Sequence, residues 1–172
     1  PFSYIVFPLT KNIILSLGLC QYSKKCELHN HFVIFDGSNV EVIILDTRKK
    51  IDINIEFFIS VKKAYGKDDG IQAYHGYLSF KEQDISPELA QKIGMEFANE
   101  VWGKRFQVVV TTHLNTKHLH CHYVINSVSF VDGKRLWGDE KAWFKFRLVA
   151  DCLCEKYGLY YNPNPNRSKQ SS

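Results

Sequence analysis

No apolar run in these 172 residues reaches the ~18–20 that a bilayer-spanning helix needs, so we expect no membrane insertion. We expect no signal peptide. There is no CxxC pair, and the five cysteines are an odd number without the density of a small disulfide-bonded domain. A reducing compartment is expected, with thiols that serve packing. Cys152 and Cys154, two apart on an expected helix, point to different sides. Internal repeats are lacking. The one biased stretch, Asn162-Pro163-Asn164-Pro165-Asn166, forms neither helix nor strand well and begins a linker. The first residue is Pro1 rather than Met and the end is a polar Ser-Lys-Gln-Ser-Ser tail, so we expect a piece of a longer protein.

What is present suits one globular domain with a sizeable core. Hydrophobic residues are 45% and charged residues 23%, ordinary for such a domain. A formal charge of +4 leans mildly towards a polyanionic partner. Aromatic residues reach 14%, which suits a large core or stacking on bases. Ile13–Leu19 reads as a strand. Phe32–Phe35 and Val40–Leu45, separated by Asp36-Gly37-Ser38-Asn39, read as a hairpin. Residues 52–65 read as a helix with Ile55, Phe58, Ile59 and Lys62 on one face and Gly66 as its stop. Ile71–Phe80 reads as a strand. Ser86-Pro87-Glu88 is a helix start with cap, proline and acid in the favoured places, and Leu89, Ile93, Phe97 and Val101 make a buried stripe that Gly103 closes. Arg105–Thr112 and residues 118–130 read as strands, Asp132-Gly133 as a turn. A last helix runs from Asp139 to about Tyr157, with Trp143, Phe146, Ala150 and Leu153 inward. This succession predicts an α+β fold: a central, mainly antiparallel β-sheet covered by α-helices on one face.

Four of the seven histidines lie within residues 113–122. His118, His120 and His122 alternate with Leu119, Cys121 and Tyr123, so on a strand the imidazoles share one face and the apolar residues the other. Packing does not account for such a row, whereas a rigid sheet presenting imidazoles to a divalent metal does. Asn115-Thr116 lets His113, at the end of one strand, face the start of the next. His113, His120 and His122 can then close on one ion. All-imidazole ligation leaves the ion its full charge and open positions, which suits polarising a phosphate oxygen. His75 sits mid-strand in Ala73-Tyr74-His75-Gly76, where Gly76 permits close approach of another chain or a phosphate.

Thr111-Thr112-His113-Leu114-Asn115, His118-Leu119-His120-Cys121-His122 and Val124-Ile125-Asn126-Ser127-Val128 together resemble the third motif of the relaxase/mobilization nuclease family, within the HUH endonuclease superfamily. Ala73–Phe80, Phe130–Lys134 and the helix with Arg147 and Asp151 are similar too, so the resemblance covers about residues 56–167. It implies a metal-dependent relaxase that nicks and religates single-stranded DNA at a transfer origin through a covalent tyrosyl–DNA intermediate, during conjugative mobilization of a plasmid or transposon. It further implies Mg²⁺ or Mn²⁺ held by His113, His120 and His122, with His118, Asn115 and His75 as catalytic neighbours. Implied partners are origin single-stranded DNA and accessory relaxosome and coupling proteins; the implied setting is the bacterial cytoplasm.

Two departures stand out. Family members often carry Asp where Asn115 stands; Asn still orients a histidine but is no base. Tyr4-Ile5-Val6-Phe7-Pro8-Leu9-Thr10-Lys11 matches only in part the segment that bears the family's tyrosine, with Phe7 for Asn and Leu9 for an acid. Tyr4 is the candidate nucleophile, Tyr22 its substitute. Residues 1–50 are therefore expected to be a divergent N-terminal segment, incomplete or rearranged, followed by a relaxase-like core over 51–161 and a tail over 162–172. Lys117, Lys134 and Arg135 are candidates for tracking a DNA backbone, and Trp137 for stacking on a base. The rival expectations are an impaired origin-DNA-binding module and a hydrolytic metallonuclease that forms no covalent intermediate.

Overall fold

A computed structural model describes residues 6–9, 31–35, 40–44, 55–81, 84–113, 118–136 and 140–161; the first three stretches and residues 55–57, 113, 140, 141 and 143 enter by backbone alone. Its strands are β1 (Val6–Leu9), β2 (His31–Phe35), β3 (Val40–Ile44), β4 (Ala73–Ser79), β5 (Val108–His113) and β6 (His120–Asn126). Its helices are α1 (Ile55–Ala64), α2 (Pro87–Ala98) and α3 (Glu140–Lys156), and a π-helical turn, Asn99–Gly103, continues α2. The strands form one sheet in the order β1-β4-β6-β5-β2-β3, and every neighbouring pair is antiparallel. The expected α+β architecture is therefore present, and the hairpin expected around Asp36–Asn39 is β2–β3, with Phe35 opposite Val40.

The core lies between the sheet and α2 and α3. Ser86 caps α2 with extended backbone, and its Oγ accepts from Leu89 N at 3.2 Å, satisfying one of the donors a helix start leaves open. Ala90, Ile93 and Phe97 then face Cys121, Tyr123 and Ile125 of β6, all buried. Gly94 is required there: a Cβ at this position would stand 2.5 Å from Cys121 Sγ. The π-helical turn brings Trp102 into an aromatic group, with ring centroids 5.5 Å from Phe97, 5.4 Å from Tyr123 and 5.2 Å from Phe146 of α3.

Three sequence expectations are altered. The helix expected to run from Ser86 to Gly103 is α-helical only to Ala98. The strand expected over 118–130 stops at Asn126, because local turn chemistry takes over: Ser129 Oγ accepts from Val131 N and Asp132 N, Gly133 takes φ 65°, and Val128 forms only an isolated bridge to Arg135. The helices do not keep to one face. Asn126 shares by alternation the face of His120 and His122, and its Nδ2 donates to Phe58 O of α1 at 3.1 Å, so α1 meets the sheet on the imidazole side. Lys62, one turn after Phe58 in α1, is buried, which lowers its pKa to about 8, helped by the charge of Arg135. The strand expected over Ile13–Leu19 lies outside the described residues.

Candidate metal centre

The two faces of β6 are set by its pairing on both sides. Tyr77 of β4 and Thr111 of β5 stand opposite His122, and Ser79 and His113 stand opposite His120. Directly opposed residues of an antiparallel pair share a face. The backbone register thus puts His113, His120 and His122 on one face of adjoining strands, with His75 of β4 on the same face opposite Val124.

The described imidazoles are held in defined ways. His75 Nε2 and His122 Nδ1 are 2.8 Å apart; with centroids 5.0 Å apart and planes within 19°, the rings meet edge to edge, as an N–H···N bond requires. Burial lowers the pKa of His75, which favours its neutral ring as the acceptor. When His122 Nδ1–H donates to His75, the lone pair of His122 is on Nε2. His120 Nδ1 lies 3.2 Å from His118 O, and His118 Nδ1 lies 3.1 Å from Lys81 O. A carbonyl only accepts, so both rings donate from Nδ1, which in a neutral imidazole leaves the lone pair on Nε2. Such outer contacts orient metal-binding histidines. His120 and His122 have centroids 4.8 Å apart at 66°, and the Tyr77 ring is 6.4 Å from His122.

Among the described residues no group of three His, Cys, Asp or Glu is arranged to hold a metal ion. What they supply is the pair His120 and His122, with the His113 backbone in register opposite His120. The tautomers of the described rings fit a divalent cation on that face.

The remaining candidates are dispersed. Tyr4, Asn115, Lys117 and Trp137 lie outside the described residues. Lys134 and Arg135 follow the far end of β6, six strand residues from His120, roughly 20 Å. Arg135 pairs with Asp69 at 2.5 Å, and Lys134 Nζ is 3.7 Å from Asp132. Sequence reasoning missed two things here: the place of Tyr77 beside His122, which its two-residue spacing from His75 signals, and the carbonyl of Lys81 that holds His118, which no local pattern signals.

The opposite face of β6 is sealed. Burial pushes the Cys121 thiol up to about 12 and raises Tyr123 well above the usual phenol value. Thr112 Oγ1 donates to Gln91 Oε1 and lies 3.3 Å from Cys121 Sγ. This side is inert packing.

Among the described residues no helix is long and apolar enough to cross a membrane. A family model described as "Relaxase: MobA/VirD2-like, nuclease domain" matches residues 36–159. The chain is 35% identical over 109 residues to "Protein rlx" of Staphylococcus aureus, which covers 63% of this chain and 34% of the relative. It is 30% identical over 106 residues to "Group II intron-interrupted relaxase LtrB" of Lactococcus lactis subsp. cremoris (strain MG1363), covering 54% of this chain and 19% of the relative. It therefore spans about a third of the length of the first of these relatives. A solved structure from work on the molecular basis of vancomycin resistance transfer in Staphylococcus aureus shares the fold with a TM-score of 0.50 at 14% identity, covering 78% of this chain and 74% of that one. With most of its length matched by that family, this chain belongs to the MobA/VirD2-like relaxase nuclease domains.

Proposed function

We propose that the chain is the strand-transfer domain of a mobilization relaxase, which nicks single-stranded DNA at a transfer origin and stays joined to it. The observation that carries this reading is the register of β5 and β6, which sets His113 opposite His120 and one step from His122, within a domain of the relaxase family. Relaxase nuclease domains generally use a divalent metal. His113, His120 and His122 would hold it, Mg²⁺ or Mn²⁺, and when bound it withdraws charge from the scissile phosphate. His75 positions His122 through their shared hydrogen bond, and His118, tied to Lys81 O, stands beside them. Asn115 orients a histidine without acting as base.

Tyr4 is the proposed nucleophile. Its Oη–P bond forms as the P–O3′ bond breaks, the phenol loses its proton, and a free 3′ hydroxyl leaves. The 5′ phosphate stays on the protein, and the same exchange reversed reseals the strand without ATP. β1, which begins at Val6, pairs with β4 and sets Phe7 opposite His75; this supports the N-terminal segment as the source of the tyrosine. Lys117, Lys134 and Arg135 would track the DNA backbone and Trp137 would stack on a base. Partner relaxosome and coupling proteins and a bacterial cytoplasmic setting belong to the same reading.

A denaturing gel tests it. The protein is mixed with single-stranded oligonucleotides tiling the DNA around its own gene, with Mn²⁺ or with EDTA. The expected result is a Mn²⁺-dependent, protein-sized shift that Tyr4→Phe abolishes. A shift that persists in Tyr4→Phe moves the nucleophile to Tyr22. Cleavage without a shift replaces the covalent mechanism by a hydrolytic one. Binding with neither overturns the strand-transfer reading in favour of an origin-binding module, which the departures at Phe7 and Leu9 favour.

A further inference from the structure

The end of α3 returns the chain to the edge of the imidazole site. Gly158 takes φ 67°, the left-handed cap that glycine adopts without steric cost. Leu159 N donates back to Cys154 O at 2.8 Å and Tyr157 N to Leu153 O at 3.1 Å. Leu159 then packs against the core. The next residue, Tyr160, is left at the surface with 46% of its area exposed.

Tyr160 is not placed at random on that surface. The Lys81 ammonium stands 3.7 Å from its ring centroid, a close cation–π contact. The main chain of the same lysine accepts from His118 Nδ1, and Phe80 N donates to Leu119 O at 2.9 Å. One residue therefore ties the exposed aromatic ring by its side chain, and the start of the imidazole strand by its carbonyl. A cation beside an exposed ring, fixed at the edge of a site for single-stranded DNA, supplies the two things such DNA offers for recognition: a phosphate to pair and a base face to stack on.

We propose that Tyr160 and Lys81 form a subsite that stacks one unpaired base and pairs with its phosphate, next to the phosphate that is cut. This rests on the DNA-processing reading above. It extends that reading to a segment beyond α3 that carries none of the histidines. Tyr160 is a binding residue in this account, with no part in the bond exchange.

The test is photocross-linking with a short oligothymidylate carrying 5-iodouracil, which joins to aromatic rings it stacks on. Peptide mapping of the full chain is expected to find the cross-link at Tyr160. Tyr160→Ala is expected to weaken binding of the same oligonucleotide about tenfold, and Tyr160→Phe to leave it within about twofold. Lys81→Gln is expected to flatten the salt dependence of log K by about 0.7, an effect that mere pinning of the chain end would not produce. Cross-linking elsewhere, together with unchanged affinity in Tyr160→Ala, overturns the subsite. The two readings fail separately. A Tyr160 cross-link without any covalent adduct in the gel assay keeps the subsite and removes the strand transferase. An adduct with wild-type affinity in Tyr160→Ala does the reverse.

Discussion

The two faces of β6 have opposite characters. Cys121, Tyr123 and Ile125 are buried to 1% exposure or less and packed on α2. His120, His122 and Val124, interleaved with them, are half-buried, and His122 and His120 carry the polar contacts to His75 and His118. One strand thus carries core packing on one face and a row of imidazoles, the proposed metal ligands, on the other. Period-two geometry is what allows this, since a slip of one residue would exchange the two faces. The core face fixes the register, and the register aligns the imidazoles.

Damage to each face in turn is expected to have different consequences. Tyr123→Ala removes a ring packed on both Phe97 and Trp102 and is expected to cost about 3–5 kcal/mol in urea unfolding. His122→Ala, one residue away, is expected to cost about 1 kcal/mol while ending Mn²⁺-dependent adduct formation. Equal losses of stability would erase the distinction. Gly94→Ala tests how tightly the core face is fitted. The added methyl meets Cys121 Sγ, and a cost of about 1–3 kcal/mol is expected, partly recovered in the Gly94→Ala/Cys121→Ala double variant. His75→Phe tests the other face: it keeps the ring and removes the bond to His122. Mn²⁺ affinity is expected to fall about tenfold or more with little change in melting temperature. The smallest effect is chemical. A thiol pushed up to about 12 stays protonated at neutral pH, so alkylation of the native protein should mark exposed Cys152 and spare Cys121 until unfolding. Early labelling of Cys121 would show that the core face opens.

Much of this division is legible in the sequence. The alternation from His118 to Ile125 fixes both faces before any pairing is known, and Ser86-Pro87-Glu88 marks the start of α2 by local hydrogen-bonding needs alone. The Asp36–Asn39 hairpin is legible for the same reason. What was not legible depends on distant partners. Val128 and Phe130 continue the alternation of β6, yet Ser129 and Gly133 turn the chain, and Asn126 is instead held by Phe58 O and Gln107 Oε1. The bond between His75 and His122 needs the β4–β6 register, which no segment encodes alone. The carbonyl of Lys81 reaches His118 across 37 residues, and Tyr160, beyond α3, meets the same lysine from a distant part of the chain.

The most direct test of the account is Mn²⁺ binding, measured by titration calorimetry on the wild-type chain and on His120→Ala/His122→Ala. One ion per wild-type chain and none in the double variant are expected, with the circular dichroism spectrum and the packing of Tyr123 retained. Equal binding by both proteins would contradict this, because the imidazole face of β6 would then not be the metal site.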